Sequence, residues 1–331
     1  MNRDYDRIEF AEDRKREVME TLFGVDAARL APAPGQDMPG GDMPGDITDI
    51  NEEAIAAAVK LFPTLQDKIL QGIADNPYGR CVVSISGGSG SGKTCSAAIL
   101  AYILNSAGIE TYTMSGDNYA HRIPHENDEG RQRVFRHNGV RAVVDARLAE
   151  DPKVFEEIMA FQLEENENGH AEPPAGAEWF DTYIDGGKKA LKRHLATPHE
   201  QNFNEINDVI SAFRDGAREI WMRRMGRDTT AFWYENRDFS KTSVLILEWT
   251  LGLSRYLTGI DVPVYIETTP EETYASRIAR GRDSNARTDL IQAVIEIEQG
   301  LLMRDVPRAS IIATRDGSVL TLDEWKVRHE K

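Results

Sequence analysis

Short apolar runs recur along the chain at intervals that alternate with helical patterns. Cys81-Val82-Val83-Ser84-Ile85, Glu110 to Met114, Thr242 to Leu247, Val262 to Ile266 and Ser310 to Ala313 each read as a strand, most of them buried on both faces. Between them, Cys95 to Leu104 is an almost wholly apolar helix, and Leu290, Val294, Ile297 and Leu301 recur at helical spacing. Strands alternating with helices predict an α/β fold with a parallel sheet.

The rest of the chain departs from that rhythm. Residues 1–30 form an arm with a charged helical pattern over Arg7 to Phe23, and residues 31–48, rich in Pro, Gly, Met and Asp, read as a linker. From Asp49 to Ala74 the pattern predicts two short helices split at Pro63, because the residue before a proline is pushed out of the helical region. The main domain then runs from 49 to 331. Residues 121–196 hold too many Glu, Asn, Gly and Arg for a central strand and read as an insertion over the site. Within it, Trp179, Phe180 and Tyr183 predict a small core, and Lys188, Lys189, Lys192 and Arg193 the solvated face of a helix. Phe232, Trp233 and Tyr234 are expected to pack ahead of the strand at 242.

Composition narrows the function. With 331 residues, 40% hydrophobic and 28% charged, the chain is long enough for one large core or two ordinary ones. Its net charge of -16 argues against nucleic acid as a partner. The N-terminus shows no apolar leader and no run approaches a membrane span, so a cytoplasmic location is expected. Cys81 and Cys95, the two cysteines present, read as small core residues.

The strongest chemical signal is Gly87-Gly88-Ser89-Gly90-Ser91-Gly92-Lys93-Thr94, followed by Cys95 at the head of the helix. The spacing matches G-x-x-x-x-G-K-[ST], and a strand precedes it while a helix follows, as such a loop requires. Glycines let backbone N–H groups curl around phosphate oxygens at a helix N-terminus; Lys93 reaches the β- and γ-phosphates and the Thr94 hydroxyl ligates Mg²⁺. ATP with Mg²⁺ is the expected ligand. No His or Cys spacing suggests a further metal site.

Two acids and a basic segment extend the site. Asp117 follows the second strand and Glu248 ends the strand at 242, the edge of an open α/β sheet where ligands bind. Thr269-Pro270-Glu271-Glu272 predicts a helix start. Arg277 and Arg280 then lie three apart on one helix face, and Gly281 to Arg287, with Arg282 and Arg287, follows as a flexible segment, the whole read as a lid over about 277–290.

With the loop, Met114-Ser115-Gly116-Asp117-Asn118-Tyr119, Val244-Leu245-Ile246-Leu247-Glu248 and Arg277-Ile278-Ala279-Arg280 through Arg287 in this order, the chain resembles the phosphoribulokinase and uridine kinase family of P-loop kinases. The resemblance implies a three-layer α/β/α P-loop fold, here with a helical N-terminal extension and an inserted acceptor-site subdomain. It implies transfer of the γ-phosphoryl of ATP to a hydroxyl of a small metabolite: a nucleoside, sugar phosphate or hydroxy acid. Asp117 would then be the base, also in contact with Mg²⁺; Glu248 would hold Mg²⁺ or its waters; and Arg280, Arg282 and Arg287 would close over the γ-phosphate. Whether the family's homo-oligomers form here is left open.

Trp249 departs from that family, which usually has glycine there, so an indole lining a narrower acceptor pocket is expected. Gly116-Asp117-Asn118-Tyr119-Ala120-His121-Arg122 and Gly130-Arg131 to Arg136 are in turn similar to adenylylsulfate kinases, although that family's lid motif is missing. On either reading Tyr119, His121, Arg122, Arg131 and Arg136 are candidate acceptor-binding residues. Two other classes stay open: a P-loop ATPase or GTPase, and a catalytically silent nucleotide-binding regulator. Acceptor-dependent ADP release separates all three.

Overall fold

The computed structural model describes residues 6–9, 12–45, 48–88, 90–164, 172–226, 232–268 and 289–329, with the side chains at 125, 289, 291 and 292 left aside. The chain divides into two compact units: residues 1–120, 202–276 and 305–331, and residues 121–201 with 277–304.

The first unit carries the sheet. Helices α1 (Glu12–Phe23), α2 (Ala27–Leu30) and α3 (Glu52–Asp75) precede β1 (Cys81–Gly87), α4 (Lys93–Ser106) and β2 (Thr111–Ser115). After the second unit come α8 (Phe203–Arg214), the hairpin β3 (Glu219–Met225) and β4 (Phe232–Asp238), then β5 (Val244–Glu248) and β6 (Val262–Glu267). Strands β7 (Ile311–Thr314) and β8 (Val319–Leu320) and a last helix (Leu322–His329) close the chain. The main sheet runs β2-β5-β1-β6-β7-β8, all parallel except β8.

Alternation along the strands gives each face of the sheet its own core. Cys81, Val83, Ile85, Val244 and Ile246 face one cluster with α3 and α4, while Val82, Leu245 and Leu247 face another with α8, Phe239 and Trp249. This is the α/β architecture expected from the apolar runs, with helices on both faces.

Three expectations are corrected. Residues 52–75 form one helix through Pro63, not two. Pro63 lies on the exposed side, while Leu61, Phe62, Leu65, Ile69 and Ile73 are buried along one continuous stripe. An interior proline costs about 3 kcal/mol, against about 1.5–3 kcal/mol for each large apolar side chain buried, so the stripe wins. Part of the predicted linker is packed: Met38 and Met43 are buried and Asp42 is 7% exposed on its side chain. Phe232, Trp233 and Tyr234 do not pack ahead of β5; they lie on β4 and are 38%, 39% and 50% exposed.

The second unit is helical: α5 (Pro124–Asp145), α6 (Lys153–Leu163), α7 (Phe180–His194) and α9 (Asp289–Asp305), the last ending at the unit boundary. Its core joins Phe135, Phe161, Trp179, Phe180 and Tyr183 to Leu290, Val294 and Leu301. The predicted aromatic core is therefore present, with the helix at 290–301 as one of its walls.

Candidate active site

Glycine is required in the loop at more than one position, for different reasons. Gly90 and Gly92 have φ of +84° and +86°, where side chains are strained. A Cβ at Gly87 would lie 2.9 Å from the Ile266 carbonyl oxygen and closer still to Ser91 Oγ, so the chain can only turn here without one. Gly92 then starts α4, whose first N–H groups lack intrahelical partners and point out of the helix end. Ser91 Oγ is buried with no protein partner. The loop thus presents unfilled donors around a cradle, which fits a polyphosphate. Ser89 lies outside the described residues.

Strand register brings the acids to the same edge. Glu248 is paired with Ile85 on one side and Ser115 on the other, so β5 and β2 end level while β1 runs on two residues to Gly87. Past those ends come the glycine loop, Trp249 and the turn Gly116–Tyr119. Glu248 is 3% exposed, and one of its oxygens accepts from Thr94 Oγ1 at 3.0 Å and lies 3.7 Å from Lys93 Nζ. A hydroxyl and a carboxylate oxygen converging beside the cradle are hard donors of the kind Mg²⁺ takes. Backbone bonds from Trp249 N–H to the Ile85 carbonyl (3.1 Å) and from Ser86 Oγ to the Thr250 carbonyl (2.7 Å) fix the chain that carries Glu248.

Asp117 is exposed in the turn after β2, whereas its neighbours Gly116, Asn118 and Tyr119 are buried. Cys95 is buried in the first turn of α4.

Several candidate acceptor residues have other work. Trp249 is 2% exposed, packed on Phe203 and beneath Gly116, where a Cβ would come within 2.7 Å of the Trp249 Cβ and closer to its ring. It supports the acid turn from below rather than presenting an indole to solvent. Tyr119 is fully buried, and burial first, then Asp42 and Glu205, push its phenol well above the usual range. In the second unit Arg131 donates to Glu200 (2.7 Å) and Glu298 (2.9 Å) and lies 3.5 Å from Asp128. Burial pulls its pKa down, but Glu298 and Glu200 outweigh that and the net shift is upward. Arg136 donates to the Gln162 carbonyl at 2.8 Å. His121 and Arg122 are exposed, with His121 Nε2 3.0 Å from the Pro198 carbonyl oxygen. Arg280, Arg282 and Arg287, and the helix start at 269–272, lie outside the described residues.

Asp42, Asn118 and Arg224 were missed. Asp42 accepts from Ser115 N–H (2.7 Å), Asn118 Nδ2 (2.9 Å), Tyr112 Oη (2.9 Å) and Arg224 Nη1 (2.8 Å). The available signal was the doubled Asp-Met-Pro-Gly at 37–40 and 42–45, whose two methionines a solvated linker would not need. Beside this network a cavity of ≈ 760 Å³ opens among Met38, Met43, Ala101, Tyr102 and Tyr112, away from the glycine loop.

Residues 79–155 match the family described as adenylylsulphate kinase. Over 256 residues, 77% of this chain, the sequence is 37% identical to the bifunctional alpha-galactosidase/sucrose kinase AgaSK of Mediterraneibacter gnavus, covering 22% of that protein. The chain thus spans about a fifth of the curated relative it matches. Among solved structures, a kinase assigned to fructose transport from Silicibacter sp. TM1040 is 16% identical, with 74% of this chain and 93% of that chain covered and a TM-score of 0.42. A D-glycerate 3-kinase from Cryptococcus neoformans is 11% identical, with 78% and 97% covered and a TM-score of 0.38. Among the described residues, no helix is long and apolar enough to cross a membrane.

Proposed function

We propose that this chain, a P-loop kinase acting on a small metabolite, uses a neutral carbohydrate hydroxyl as its acceptor. The observation that carries the reading is the shared sheet edge, where the glycine loop, the Lys93–Thr94–Glu248 cluster and the exposed Asp117 turn follow the C-terminal ends of β1, β5 and β2.

Phosphoryl transfer through a loose transition state needs positioning and charge neutralisation more than covalent help. The loop amides and Lys93 hold the phosphates of ATP. Thr94 and Glu248 would hold Mg²⁺, which when bound neutralises charge on the β- and γ-oxygens. Asp117 orients the acceptor hydroxyl and takes its proton as the new P–O bond forms, a task for an ordinary carboxylate. Arg280, Arg282 and Arg287 carry the forked donors that a γ-phosphate would take, as the family resemblance implies.

The acceptor class is favoured by two observations. The relative that is 37% identical carries sucrose kinase in its name. The chain is also strongly acidic, with a net charge of -16, which disfavours an anionic acceptor at long range. Adenylylsulfate is the second reading, favoured by the family match over 79–155. The internal pairing of Arg131 and Arg136 weighs against it, since a sulfate or phosphate acceptor would call on such arginines.

ADP formation from Mg-ATP, with the Lys93→Ala protein as blank, tests both. A panel of sucrose, monosaccharides, nucleosides, sugar phosphates, glycerate and adenylylsulfate should give its largest rise with an uncharged sugar. A larger rise with adenylylsulfate would replace the carbohydrate reading. Hydrolysis independent of every acceptor would move the chain to the ATPase or regulator class.

A further inference from the structure

The loop that carries Asp117 is held from outside the nucleotide-binding core, by a residue of the Pro/Gly-rich 31–48 segment. Asp42 Oδ1 accepts from the backbone N–H of Ser115 (2.7 Å) and from Asn118 Nδ2 (2.9 Å), the two residues that bracket Gly116-Asp117. Its Oδ2 accepts from Tyr112 Oη (2.9 Å) and Arg224 Nη1 (2.8 Å). Arg224, 3% exposed on its side chain, also donates to Tyr112 Oη at 2.8 Å and lies 3.3 Å from Glu235. Asn118 Oδ1 in turn accepts from Met225 N–H at 3.1 Å, and Asn202 N–H donates to the Tyr119 carbonyl at 2.8 Å. From below, the Trp249 ring leaves no room for a side chain at Gly116. Every residue next to Asp117 is therefore fixed, and Asp117 alone is exposed.

Stability is a poor explanation for this arrangement. Burying an ion pair costs several kcal/mol of desolvation per ion, and a well-packed apolar replacement is often as stable. What the carboxylate adds is direction: it accepts four hydrogen bonds at once, two of them from the acid turn. A misplacement of about 1 Å in a reacting group can cost about 100-fold in rate.

We propose that Asp42 is a positioning residue for phosphoryl transfer, holding the 115–118 turn so that Asp117 meets the acceptor hydroxyl. The inference rests on Asp117 being the base in the function proposed above. Burial pushes the Asp42 carboxyl up, with Arg224 and the Ser115 N–H opposing, so protonation of Asp42 would release the turn at a pH above the usual aspartate range. The other titratable groups facing it are Tyr112 and Tyr119, whose phenols burial and Asp42 push up; Glu235, on the far side of Arg224, is held low by Trp233 and Arg224.

The test uses the full chain and a double-mutant cycle. Asp42→Asn should lower acceptor-dependent kcat about 100-fold while leaving KM for Mg-ATP within about threefold. In an Asp117→Asn background the same change should cost less than about threefold, because the positioned group is already gone. Multiplicative losses, or an equal loss of ATP affinity, would show a general structural role and overturn the proposal. Should Asp42→Asn not fold, Tyr112→Phe removes one donor without stranding a charge; it should lower kcat severalfold with the same split, and an unchanged kcat would overturn the proposal. Hydrogen exchange gives a readout that needs no acceptor: exchange at 115–118 should rise in either variant, and at 90–94 stay unchanged. If that holds while the wild type turns over no acceptor, the acceptor reading fails and the clamp stands; an unchanged turn removes the clamp whatever the kinetics show.

Discussion

Two charged clusters, one in each unit, use charge in opposite ways. In the sheet unit, Lys93, Thr94 and Glu248 meet at the end of a buried strand beside unfilled loop donors, a cluster able to exchange its mutual contacts for a ligand. In the helical unit, Arg131 is consumed by Glu200, Glu298 and Asp128, and Arg136 by a backbone carbonyl. Basic residues near one another in sequence therefore say little about anion binding until their partners are known; the loop lysine is informative because it stands at a helix N-terminus beside the unpartnered Ser91 Oγ.

Substituting the two cations should separate these roles most sharply. Lys93→Ala should reduce kcat/KM by about 1,000-fold or more, since it removes charge stabilisation of the transferring group, and because its 3.7 Å pairing with Glu248 is looser than the 2.7 Å Arg131–Glu200 pair, the thermal midpoint should fall less than in an Arg131 variant. Arg131→Met should do the reverse. It strands Glu200, which is 1% exposed on its side chain, and breaking such a pair costs about 3–5 kcal/mol. Denaturant unfolding should show that loss while KM for the acceptor in the folded fraction stays within about twofold. A selective rise in acceptor KM at normal stability would return Arg131 to the binding site.

The next contrast is between packing rules. Helices α5 and α7 of the second unit meet through glycines: a Cβ at Gly187 would lie 2.7 Å from the face of the Phe135 ring, and one at Gly139 2.8 Å from Tyr183. Gly187→Ala should gain about 1 kcal/mol of helix propensity and lose about 1–3 kcal/mol to overpacking. Because Phe135 is fully buried and cannot swing away, the loss should win, and the variant should be destabilised by up to about 2 kcal/mol by those two figures. Faster amide exchange confined to 124–194 would place the damage in this unit; a stabilised variant would mean the helices separate at little cost.

The same difference explains what could be read in advance. Strands such as Val82 to Ile85 and Val244 to Leu247 are buried on both faces, so apolar runs announced the sheet, and the glycine loop announced its site through spacing alone. Glu248 and the turn after β2 followed from strand order. Asp42 did not, because its four partners lie about 70 to 180 residues away and its local sequence looks like a turn. Pro63 misled for a related reason: the buried stripe that carries α3 through it is a tertiary effect. The β3–β4 hairpin was also not anticipated, since every residue of β4 is at least partly exposed and no apolar alternation marks it.

The smallest effect tests whether surface charge in the sheet unit follows the ordinary rule that the buried clusters break. Asp316 accepts from Lys60 Nζ at 2.6 Å, from Ser318 Oγ at 2.9 Å and from Thr314 Oγ1. Lys60, then Thr314 and Ser318, hold its carboxyl well below the usual aspartate range. A carboxylate depressed in the folded state stabilises above its unfolded pKa and loses that contribution as pH falls toward the folded value. Both side chains are more than half exposed, so solvent screening should keep the term under about 1 kcal/mol. Asp316→Asn should therefore cost a few tenths of a kcal/mol near neutrality, and the gap to wild type should narrow as pH falls below about 4. It should also shrink in high salt. A gap unchanged at acid pH would assign the effect to the neutral hydrogen bonds of the β7–β8 turn instead of to the charge.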